Sequence, residues 1–455
     1  MDEKRRTTSQ RISSRTSAPT RRSASGQRRA SVHGSAPAAP RATASQRPAR
    51  PTASSAAVKQ SPKWRGITLM AVGALVLVLG ISALVRSCDS PAAGTPSVMN
   101  KADASVSFVA VGDNLPDNVL ANYAWDQGGD HYDYKPIYEF IQPLVQAADV
   151  AYVKEEVHLD DELGVHGYPS FNAPESLADD LIGVGFDIFG SATNHIYDWG
   201  YFGACARNRE VWNSKGVPFA GTNLNAEEAQ TIATFEKNGM TFAFLDYTYG
   251  VNGFSQDDLN WWEVNFISED RLTRDITRAH ELAEVVIVAM HWGTENFTGI
   301  DDYQAKYARL LANLNVDIVL GSHPHVIGPV EWLPGTDGHQ TLVCYSLGNF
   351  LSHHDYPDMY NELEGMISCD FVRKSGKVTV ENATWTPLVN HTQDGAFYYR
   401  VIPLKDYTNE LGRDAAGLWN LDDPVASLIE ANRQIVGDAI AIDDGRTNQR
   451  STPAP

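Results

Sequence analysis

The 455-residue sequence predicts an α/β domain that occupies most of the chain. From residue 105 onward, short apolar runs of strand length alternate with amphipathic runs of helix length. After residue 340 the apolar runs follow one another directly, which indicates antiparallel strands late in the domain. Polar side chains follow several of the earlier runs, at the ends of strands where α/β proteins bind ligands.

The alternation assigns the elements in chain order. The predicted strands of the alternating part are 105–112, 149–154, 186–191, 217–221, 240–247, 284–291 and 317–321. The predicted helices between them are 135–147, 175–184, 199–215, 268–283 and 301–315. The late strands are 341–346, 364–373 and 377–388, followed by a helix at 423–436. We therefore predict a domain at 105–390 and a C-terminal extension at 391–455 that holds this helix and a polar tail.

The net charge of −19 hides a division into a basic and an acidic part. Residues 1–65 hold 15 Lys and Arg, two acidic residues and almost no large apolar side chains. Such a segment cannot bury enough apolar surface to offset its chain entropy, so we predict a disordered tail. The rest of the chain holds 22 basic and 54 acidic residues, a net charge of −32. No nucleic-acid partner is expected, because the basic tail lacks interleaved aromatic residues.

Residues 66–86 are predicted to form a single transmembrane helix. The run is uncharged until Arg86 and is long enough to cross a hydrocarbon core of ~30 Å. Basic residues precede it, so we predict a cytoplasmic N-terminus and an extracytoplasmic acidic domain. No small-residue cleavage site is present, which favours an uncleaved anchor with a stalk at 87–104. A lipoprotein anchor at Cys88 is the less favoured alternative.

Cysteine usage excludes a disulfide framework, because the chain has four cysteines in all. Cys344 and Cys369 lie in successive predicted strands, and a bridge between them is left open. The spacing of the cysteines suits no zinc site.

The most informative segment is Gly321-Ser322-His323-Pro324-His325, which ends a predicted strand. Two imidazoles at i and i+2 on a tight loop can point the same way, and imidazole is the commonest metal-ligating side chain. Other strand ends repeat the pattern with a polar residue of their own. These residues are Asp113, Glu156, Asn194, His195 and His291.

Each residue has an ordinary structural interpretation when taken alone. Asn194 could cap a helix that begins near Asp198. His291 could be a packed core residue beside Trp292, and Glu155 is interpreted as part of a solvated turn. Because the pattern recurs at five strand ends, we favour one shared site.

The chemistry of the donors indicates transition-metal ions. Mixed carboxylate, amide and imidazole ligands suit Mn, Fe or Zn better than Ca or Mg. The donors exceed the needs of one tetrahedral ion, so two divalent ions are predicted. His195 could either ligate or act as a general acid. Ser346 and Asn349, with Trp292, are expected to support the loops of the site without ligating.

In this order the residues resemble the CapA family of poly-γ-glutamate capsule synthesis proteins, within the wider metallophosphatase-like fold. The resemblance runs from about Ser105 to about Pro387. It rests on Gly-Asp-Asn at 112–114, Ala-Asp with a following Glu at 148–156, Gly-Tyr-Pro-Ser-Phe-Asn at 167–172, Ala-Thr-Asn-His at 192–195 with Asp198, Ala-Gly-Thr at 220–222, His-Trp-Gly at 291–293, Gly-Ser-His-Pro-His-Val at 321–326 and Tyr-Ser-Leu-Gly-Asn-Phe at 345–350.

The resemblance implies a four-layer α/β/β/α sandwich with metals at the strand ends. It implies ligation by Asp113, Glu156, Asn194, His291, His323 and His325. It also implies that His195 donates a proton to the leaving group, with Asp198 as the second predicted catalytic residue. The implied partner is a cell-envelope polymer or its synthase complex.

The chain departs from the family pattern at two positions. The family usually has Asn-Leu-Glu or Asn-Gln-Glu where this chain has Lys154-Glu155-Glu156. A lysine beside two metals would repel them unless it points away. Many members carry His or Arg near the position of Asp117. The segment 257–262 is interpreted as an insertion whose paired tryptophans either wall a substrate site or pack under a loop.

Two functions compete. The ligand set favours a membrane-anchored dimetal hydrolase acting on a phosphoester or amide of an envelope polymer. The family name favours a non-catalytic polymer-binding, assembly or export subunit of a capsule synthase complex. A degenerate domain that only fills space at the surface is the least favoured interpretation.

A net charge of −32 on the acidic part of the chain repels free polyglutamate at long range, although salt screens this repulsion beyond ~8–10 Å. Binding of a polyanion therefore requires bound metal or a basic patch, and no such patch is evident.

Overall fold

The computed structural model describes residues 101–355 and 357–446. The predicted tail, the transmembrane helix at 66–86 and most of the stalk lie outside these residues, so they stay predictions. Within the described ranges, no helix has both the length and the apolar composition that a membrane span requires.

The elements alternate as predicted through the first two thirds of the domain. The strands are β1 (Ala104–Leu115), β2 (Val150–Glu155), β3 (His158–Leu159), β4 (Asn172–Ala173), β5 (Ile188–Gly190), β6 (Phe219–Ala220), β7 (Ala233–Lys237), β8 (Met240–Thr248), β9 (Val285–His291), β10 (Ile318–Ser322), β11 (Val330–Pro334), β12 (Gln340–Cys344), β13 (Asn349–Ser352), β14 (Leu363–Lys374), β15 (Lys377–Gln393), β16 (Tyr398–Pro403) and β17 (Ala441–Ile442). The α-helices are α1 (Asn118–Gly128), α2 (Gln142–Gln146), α3 (Ser176–Val184), α4 (Phe202–Lys215), α5 (Glu269–Leu282), α6 (Asp302–Asn313), α7 (Asn409–Asp414) and α8 (Pro424–Val436). Short 3₁₀ helices include Lys135–Tyr138 and Asn194–Tyr197.

The strands other than β3 and β4 form two large mixed sheets, and β3 pairs with β4 in a small separate sheet. The first sheet has the order β16-β15-β14-β1-β2-β5-β6, with β13 beside β1 and β17 beside β15. The second sheet has the order β11-β12-β10-β9-β8-β7. Neighbours are parallel from β1 through β2 and β5 to β6, and from β8 through β9 and β10 to β12. The late strands β14, β15 and β16 are antiparallel, as the sequence predicts.

The two sheets stack face to face, and helices cover both outer faces. One buried apolar cluster joins the sheets and includes Phe108 and Tyr152 of the first sheet with Phe242 and Ile287 of the second. A second cluster packs α1, α3 and α4 on the first sheet. A third cluster packs α5 and α6 on the second sheet. The predicted mixed α/β architecture is therefore confirmed, with the layer order α/β/β/α.

Local sequence signals account for the helix ends on the second sheet. The Ser268 side chain accepts a hydrogen bond from the Arg271 amide at the start of α5. At α6, Asp301 and Gln304 form a reciprocal capping box. Both patterns satisfy amides that the first helical turn leaves without a partner.

The predicted helix at 135–147 is interrupted in the structure. It is divided into the 3₁₀ helix Lys135–Tyr138 and the five-residue α2, each with a proline in its first turn. Proline lacks an amide hydrogen, so it starts a helix more readily than it continues one. Helix α1 was not predicted; Asp117 caps it by accepting from the amides of Val119 and Leu120 at 2.9 and 3.0 Å.

The domain boundary expected at residue 390 falls inside β15, which runs to Gln393. Beyond it, β16 pairs with β15, and β17 pairs with β15 on the same sheet. Leu428 of α8 is buried in the cluster between the sheets. Residues 391–446 are thus part of the domain and not a separate extension.

The bridge left open between Cys344 and Cys369 is not formed. Both thiols are buried and free, as is that of Cys205. The two residues lie in the apolar cluster between the sheets, where they pack as small apolar side chains.

Asp317, just before β10, makes stability depend on pH. Its carboxylate is buried and accepts a hydrogen bond from the Val286 amide at 2.8 Å, and burial raises its pKa to about 7. A raised folded-state pKa stabilises the fold below the unfolded pKa of 3.8, and this stability is lost as pH rises towards 7. The change is on the order of 4 kcal/mol at most.

In Asp317→Asn we expect the free energy of unfolding to lose this dependence on pH, an effect of roughly that amount in denaturant titrations between pH 4 and 8. Exposed Asp438→Asn is the control, and an unchanged pH profile in Asp317→Asn would contradict the assignment.

Candidate metal centre

The predicted ligands come from strand ends of both sheets that meet at one edge of the sandwich. In the first sheet, Asp113 lies near the end of β1, Glu156 follows β2 and Asn194 follows β5. In the second sheet, His291 ends β9, while His323 and His325 follow β10. Because these strands are parallel within each sheet, their carboxyl ends lie side by side. The structure thus brings all six predicted ligands together.

Glu156 is the residue that the ligand atoms share. Its carboxylate belongs to one group with His323 and His325 and to another with Asp113 and His291, and within each group the ligand atoms lie within 4.8 Å of one another. Its Oε1 atom is 3.3 Å from Nε2 of His291, and its Oε2 atom is 4.0 Å from Nδ1 of His325. Two overlapping groups that share a carboxylate are the donor arrangement that a pair of bridged ions requires.

The remaining close contacts tie the two groups into one cluster. Nδ1 of His325 lies 3.7 Å from Oδ2 of Asp113. Oδ1 of Asn194 lies 2.7 Å from Nε2 of His291. The amide oxygen and the ring nitrogen thus face each other at hydrogen-bond distance within the cluster.

Buried ligand atoms without protein partners provide the fit test for a metal. Oδ1 of Asp113, both carboxylate oxygens of Glu156 and Nδ1 of His323 are buried and accept no hydrogen bond within the described residues. Buried polar atoms are otherwise nearly always satisfied, so this set is costly unless a cation completes it. Oxygen and imidazole donors of this kind fit divalent Mn, Fe or Zn.

The electrostatics of the cluster point the same way. Burial raises the pKa of Asp113, and burial with the charge of Asp113 raises the pKa of Glu156 well above its usual range. Burial lowers the pKa of His291 well below its usual range, and it lowers the pKa of His323 to about 3. The low pKa values of His291 and His323 favour neutral rings, which is the form that ligates, and bound cations would stabilise the two carboxylates as anions.

The loop that carries both histidines is held in an unusual backbone conformation. His323 and His325 have φ angles of 94° and 58°, in the left-handed region that non-glycine residues rarely adopt. The His323 amide donates to Oδ2 of Asp113 at 3.0 Å, which fixes this loop to the first sheet. At Gly321 a Cβ atom would lie 2.0 Å from the Tyr345 carbonyl oxygen, so only glycine allows this approach. Strain of this kind persists where the surrounding structure enforces it and is common at functional sites.

His195 and Asp198 form a dyad beside the ligands. Nδ1 of His195 lies 2.7 Å from Oδ2 of Asp198, and the ring packs edge-on against Phe171. The helix that Asn194 was expected to cap is α4, which begins at Phe202 and has no side-chain cap. Asn194 instead begins a short 3₁₀ helix that Thr193 caps, its hydroxyl accepting from the His195 amide at 2.8 Å. Asn194 is therefore free to face the ligand cluster.

The two family departures do not disrupt the cluster. Lys154 is fully buried and pairs with Asp246, with Nζ–Oδ distances of 2.7 and 2.9 Å. Asp117 caps α1 and contacts His353 at 3.1 Å. The solvated turn expected at Glu155 is wrong, because its side chain is fully buried and accepts from Asn114 Nδ2 at 3.1 Å. Burial raises the pKa of Glu155 to about 8.

The three predicted support residues occupy different places. Asn349 contacts a ligand directly, with its Oδ1 2.8 Å from Nδ1 of His325. Ser346 braces the following loop by donating to the Val326 carbonyl oxygen at 2.6 Å. Trp292 points away from the ligands, because its ring lies in the cluster under α5 and α6 and donates to the Tyr345 carbonyl oxygen at 3.0 Å.

Other residues at the site were not predicted. The Ser322 hydroxyl lies 3.0 Å from Nδ1 of His291 and orients this ring. Asn252 joins the dyad to the ligands through contacts of 3.2 Å to Asp198 and 3.3 Å to Asn194. The Tyr249 ring lies 4.6 Å from that of His323. Ser322 adjoins the histidine motif and could have been included, whereas Tyr249 and Asn252 lie in a loop without a recognisable pattern.

The paired tryptophans of the proposed insertion are partly packed. The Trp262 ring lies edge-on to Phe202 at 5.1 Å, while Trp261 is 54% exposed. The Trp262 carbonyl oxygen accepts from Asn223 Nδ2 at 2.7 Å. These contacts favour packing over a substrate wall for Trp262.

The fold and the site together define an α/β domain with a candidate centre for divalent cations at its strand ends. The chain belongs to the family of bacterial capsule synthesis proteins PGA_cap, whose model matches residues 107–354. The predicted CapA relationship is thereby confirmed.

Two curated relatives have names that agree with this family. The PGA biosynthesis protein CapA of Bacillus subtilis (strain 168) is 28% identical over 270 residues, which cover 57% of this chain and 66% of that protein. The capsule biosynthesis protein CapA of Bacillus anthracis is 25% identical over 172 residues, which cover 37% of this chain and 40% of that protein. The chain thus matches less than two thirds of the length of either relative.

The solved structures to which the chain is similar are more distant. A novel phosphatase from Mycoplasma pneumoniae is 13% identical, with 63% of this chain and 95% of that chain covered and a TM-score of 0.41. The calcineurin-like phosphoesterase YfkN from Bacillus subtilis is 11% identical, with 73% and 98% covered and a TM-score of 0.37. Because both are distant, we base the function on the site's own residues.

Glu156→Gln separates metal binding from folding. The variant removes a carboxyl group whose ionised form is disfavoured by burial and by Asp113, so we expect the metal-free protein to melt at a higher temperature than wild type. We expect Mn²⁺ to raise the melting temperature of wild type, since a ligand at 100 times its Kd adds about 2.7 kcal/mol. The variant should lose most of this rise in thermal-shift measurements with Mn²⁺ and with a chelator. Asp317→Asn, which changes a buried carboxylate outside the cluster, should keep it. A wild-type response to Mn²⁺ in Glu156→Gln would exclude the shared-carboxylate arrangement.

Proposed function

We propose that the protein is a membrane-anchored, extracytoplasmic hydrolase of envelope-polymer biosynthesis that uses two divalent ions to cleave a phosphoester or an amide. The observation that carries this proposal is the set of buried, unsatisfied ligand atoms beside the dyad of His195 and Asp198. A purely structural domain has no need of buried carboxylates and imidazoles that face one another at 4 Å or less.

The residues that would hold the ions are Asp113, Glu156, Asn194, His291, His323 and His325. Bound divalent ions at such a site lower the pKa of water and stabilise negative charge on a phosphoryl or acyl oxygen. The choice among Mn, Fe and Zn follows from the mixed donor set alone.

The dyad supplies a proton at a defined atom. Nδ1 of His195 is engaged by Asp198, so Nε2 is the ring nitrogen left for the leaving group. The Asp198 carboxylate orients the ring, as carboxylates do in histidine-based catalysis. Asp198 is itself held by the Phe171 amide at 3.3 Å and by Asn252 at 3.2 Å.

Anchoring and orientation are part of the proposal and rest on the sequence. The uncharged run within 66–86 and the basic residues before it support a single span with a cytoplasmic N-terminus. The names of the curated relatives support capsule biosynthesis as the setting, with poly-γ-glutamate or another envelope polymer as substrate.

A non-catalytic assembly or export subunit of a capsule synthase complex is the alternative function. The observation that favours it is the family itself, which is named for synthesis and not for hydrolysis. Metal at the same site would then recognise an anionic polymer, which the acidic chain would otherwise repel.

His195→Gln tests catalysis without removing a proposed ligand. We expect kcat for an aryl phosphodiester with Mn²⁺ to fall roughly 10²–10⁴-fold, because general acid catalysis contributes that much. Asp198→Asn should also lower kcat, and the metal content should stay at the wild-type level in both variants. His339→Gln, a histidine outside the cluster that contacts the Val316 carbonyl oxygen, is the matched control.

The possible results separate the two functions. Full turnover in His195→Gln would contradict its assigned role. Wild-type protein that binds metal but hydrolyses neither aryl phosphoesters nor γ-glutamyl amides would favour the assembly role.

A further inference from the structure

Lys154 and Asp246 form an ion pair beneath the ligand cluster. Lys154 lies on β2 of the first sheet and Asp246 lies on β8 of the second, and both side chains are fully buried. Nζ of Lys154 lies 2.7 and 2.9 Å from the two carboxylate oxygens of Asp246. The pair thus connects the two sheets near the edge where the predicted ligands meet.

Both members of the pair also hold the same backbone residue. Nζ of Lys154 donates to the Ala192 carbonyl oxygen at 2.7 Å, and Oδ2 of Asp246 accepts from the Ala192 amide at 2.7 Å. With these contacts the ammonium group and the peptide groups on both sides of Ala192 are satisfied. Ala192 lies just beyond β5, which ends at Gly190.

Neighbouring glycines leave room for the carboxylate. A Cβ atom at Gly190 or at Gly221 would lie 2.7 Å from Oδ2 of Asp246. At Gly221 it would also lie 2.3 Å from the Ala192 nitrogen, and the φ angle there is 116°. Glycine therefore stands at the end of β5 and directly after β6, where the pair needs space, which indicates that the local sequence is adapted to it.

We propose that Lys154 and Asp246 are positioning residues, which clamp Ala192 so that Asn194 and His195 face the ligand cluster. Asn194 is two residues and His195 three residues beyond the clamped peptide groups. Thr193, which lies between Ala192 and Asn194, caps the 3₁₀ helix that carries the Asn194 and His195 side chains. The clamp therefore fixes where this helix starts, and the contact of 2.7 Å between Asn194 and His291 depends on that start.

The pair also explains how a lysine is compatible with a metal centre at this position. The ammonium group is paired with the Asp246 carboxylate at 2.7 Å, so a negative charge accompanies the lysine beside the ligands. The inference rests on the proposed function for its turnover readout, but metal affinity tests it independently.

The double variant Lys154→Met with Asp246→Asn is the test. It leaves no unpaired buried charge, and the new asparagine keeps an oxygen for the Ala192 amide, but the Ala192 carbonyl oxygen loses its donor. We expect the full-length double variant to keep a melting temperature near wild type while Mn²⁺ binds about tenfold or more weakly by titration calorimetry. We also expect kcat for an aryl phosphodiester to fall with little change in KM.

A second ion pair between the sheets provides the matched control. Arg373 of β14 donates to both carboxylate oxygens of Glu284 at 3.0 and 2.9 Å, near the opposite ends of the strands. The double variant Arg373→Met with Glu284→Gln should shift the melting temperature and leave the Kd for Mn²⁺ unchanged. If the first double variant does not fold, Lys154→Met alone carries the same measurement, because it removes the donor to the Ala192 carbonyl oxygen and leaves the Ala192 amide its acceptor.

The outcomes distinguish this inference from the proposed function. A wild-type Kd for Mn²⁺ in the folded clamp variant overturns the positioning role. Weaker metal binding supports it, even if wild-type protein shows no hydrolysis and the proposed activity fails. Wild-type protein that binds no metal overturns both.

Discussion

The rest of the structure depends on the burial of two carboxylates, Asp113 and Glu156, against neutral imidazoles. Desolvation raises the pKa of both acids and lowers the pKa of His291 and His323. The rings of these two histidines therefore supply ligand atoms but no positive charge to balance the carboxylates. Unpaired charges at such a position are costly, and divalent ions are the partners that satisfy oxygen and nitrogen donors together. The strained loop, the close glycine contacts and the clamp on Ala192 all serve to bring these donors to one place.

Two sheets are needed to build this cluster, which explains why the sandwich matters for the site. The first sheet contributes the oxygen donors and the second contributes the imidazoles. Neither set is complete without the other, because the groups that share Glu156 draw on both sheets. Contacts between the sheets, such as that of the His323 amide with Asp113, therefore set the geometry of the donors as well as the stability of the fold.

Much of this arrangement could be predicted from the sequence, because each predicted ligand directly follows or ends an apolar strand. Parallel strands place such residues at one edge, so order along the chain was enough to group them. The direction in which the Lys154 side chain points could not be predicted, because its partner Asp246 is 92 residues away on the other sheet. The burial of Glu155 was missed for the same reason, since Asn114 lies on a neighbouring strand. The domain boundary predicted at residue 390 lies inside β15, because this strand is much longer than an ordinary one and runs to Gln393.

The central claim is that the cluster binds two divalent ions, and elemental analysis of the purified full-length protein tests it most directly. The protein would be stripped with a chelator, reloaded with Mn²⁺, Fe²⁺ or Zn²⁺, freed of excess metal and analysed alongside Glu156→Gln. We expect about two ions per wild-type chain and a marked loss in the variant, because both groups use this carboxylate. A folded wild-type protein that retains no metal under any of these conditions would contradict the account.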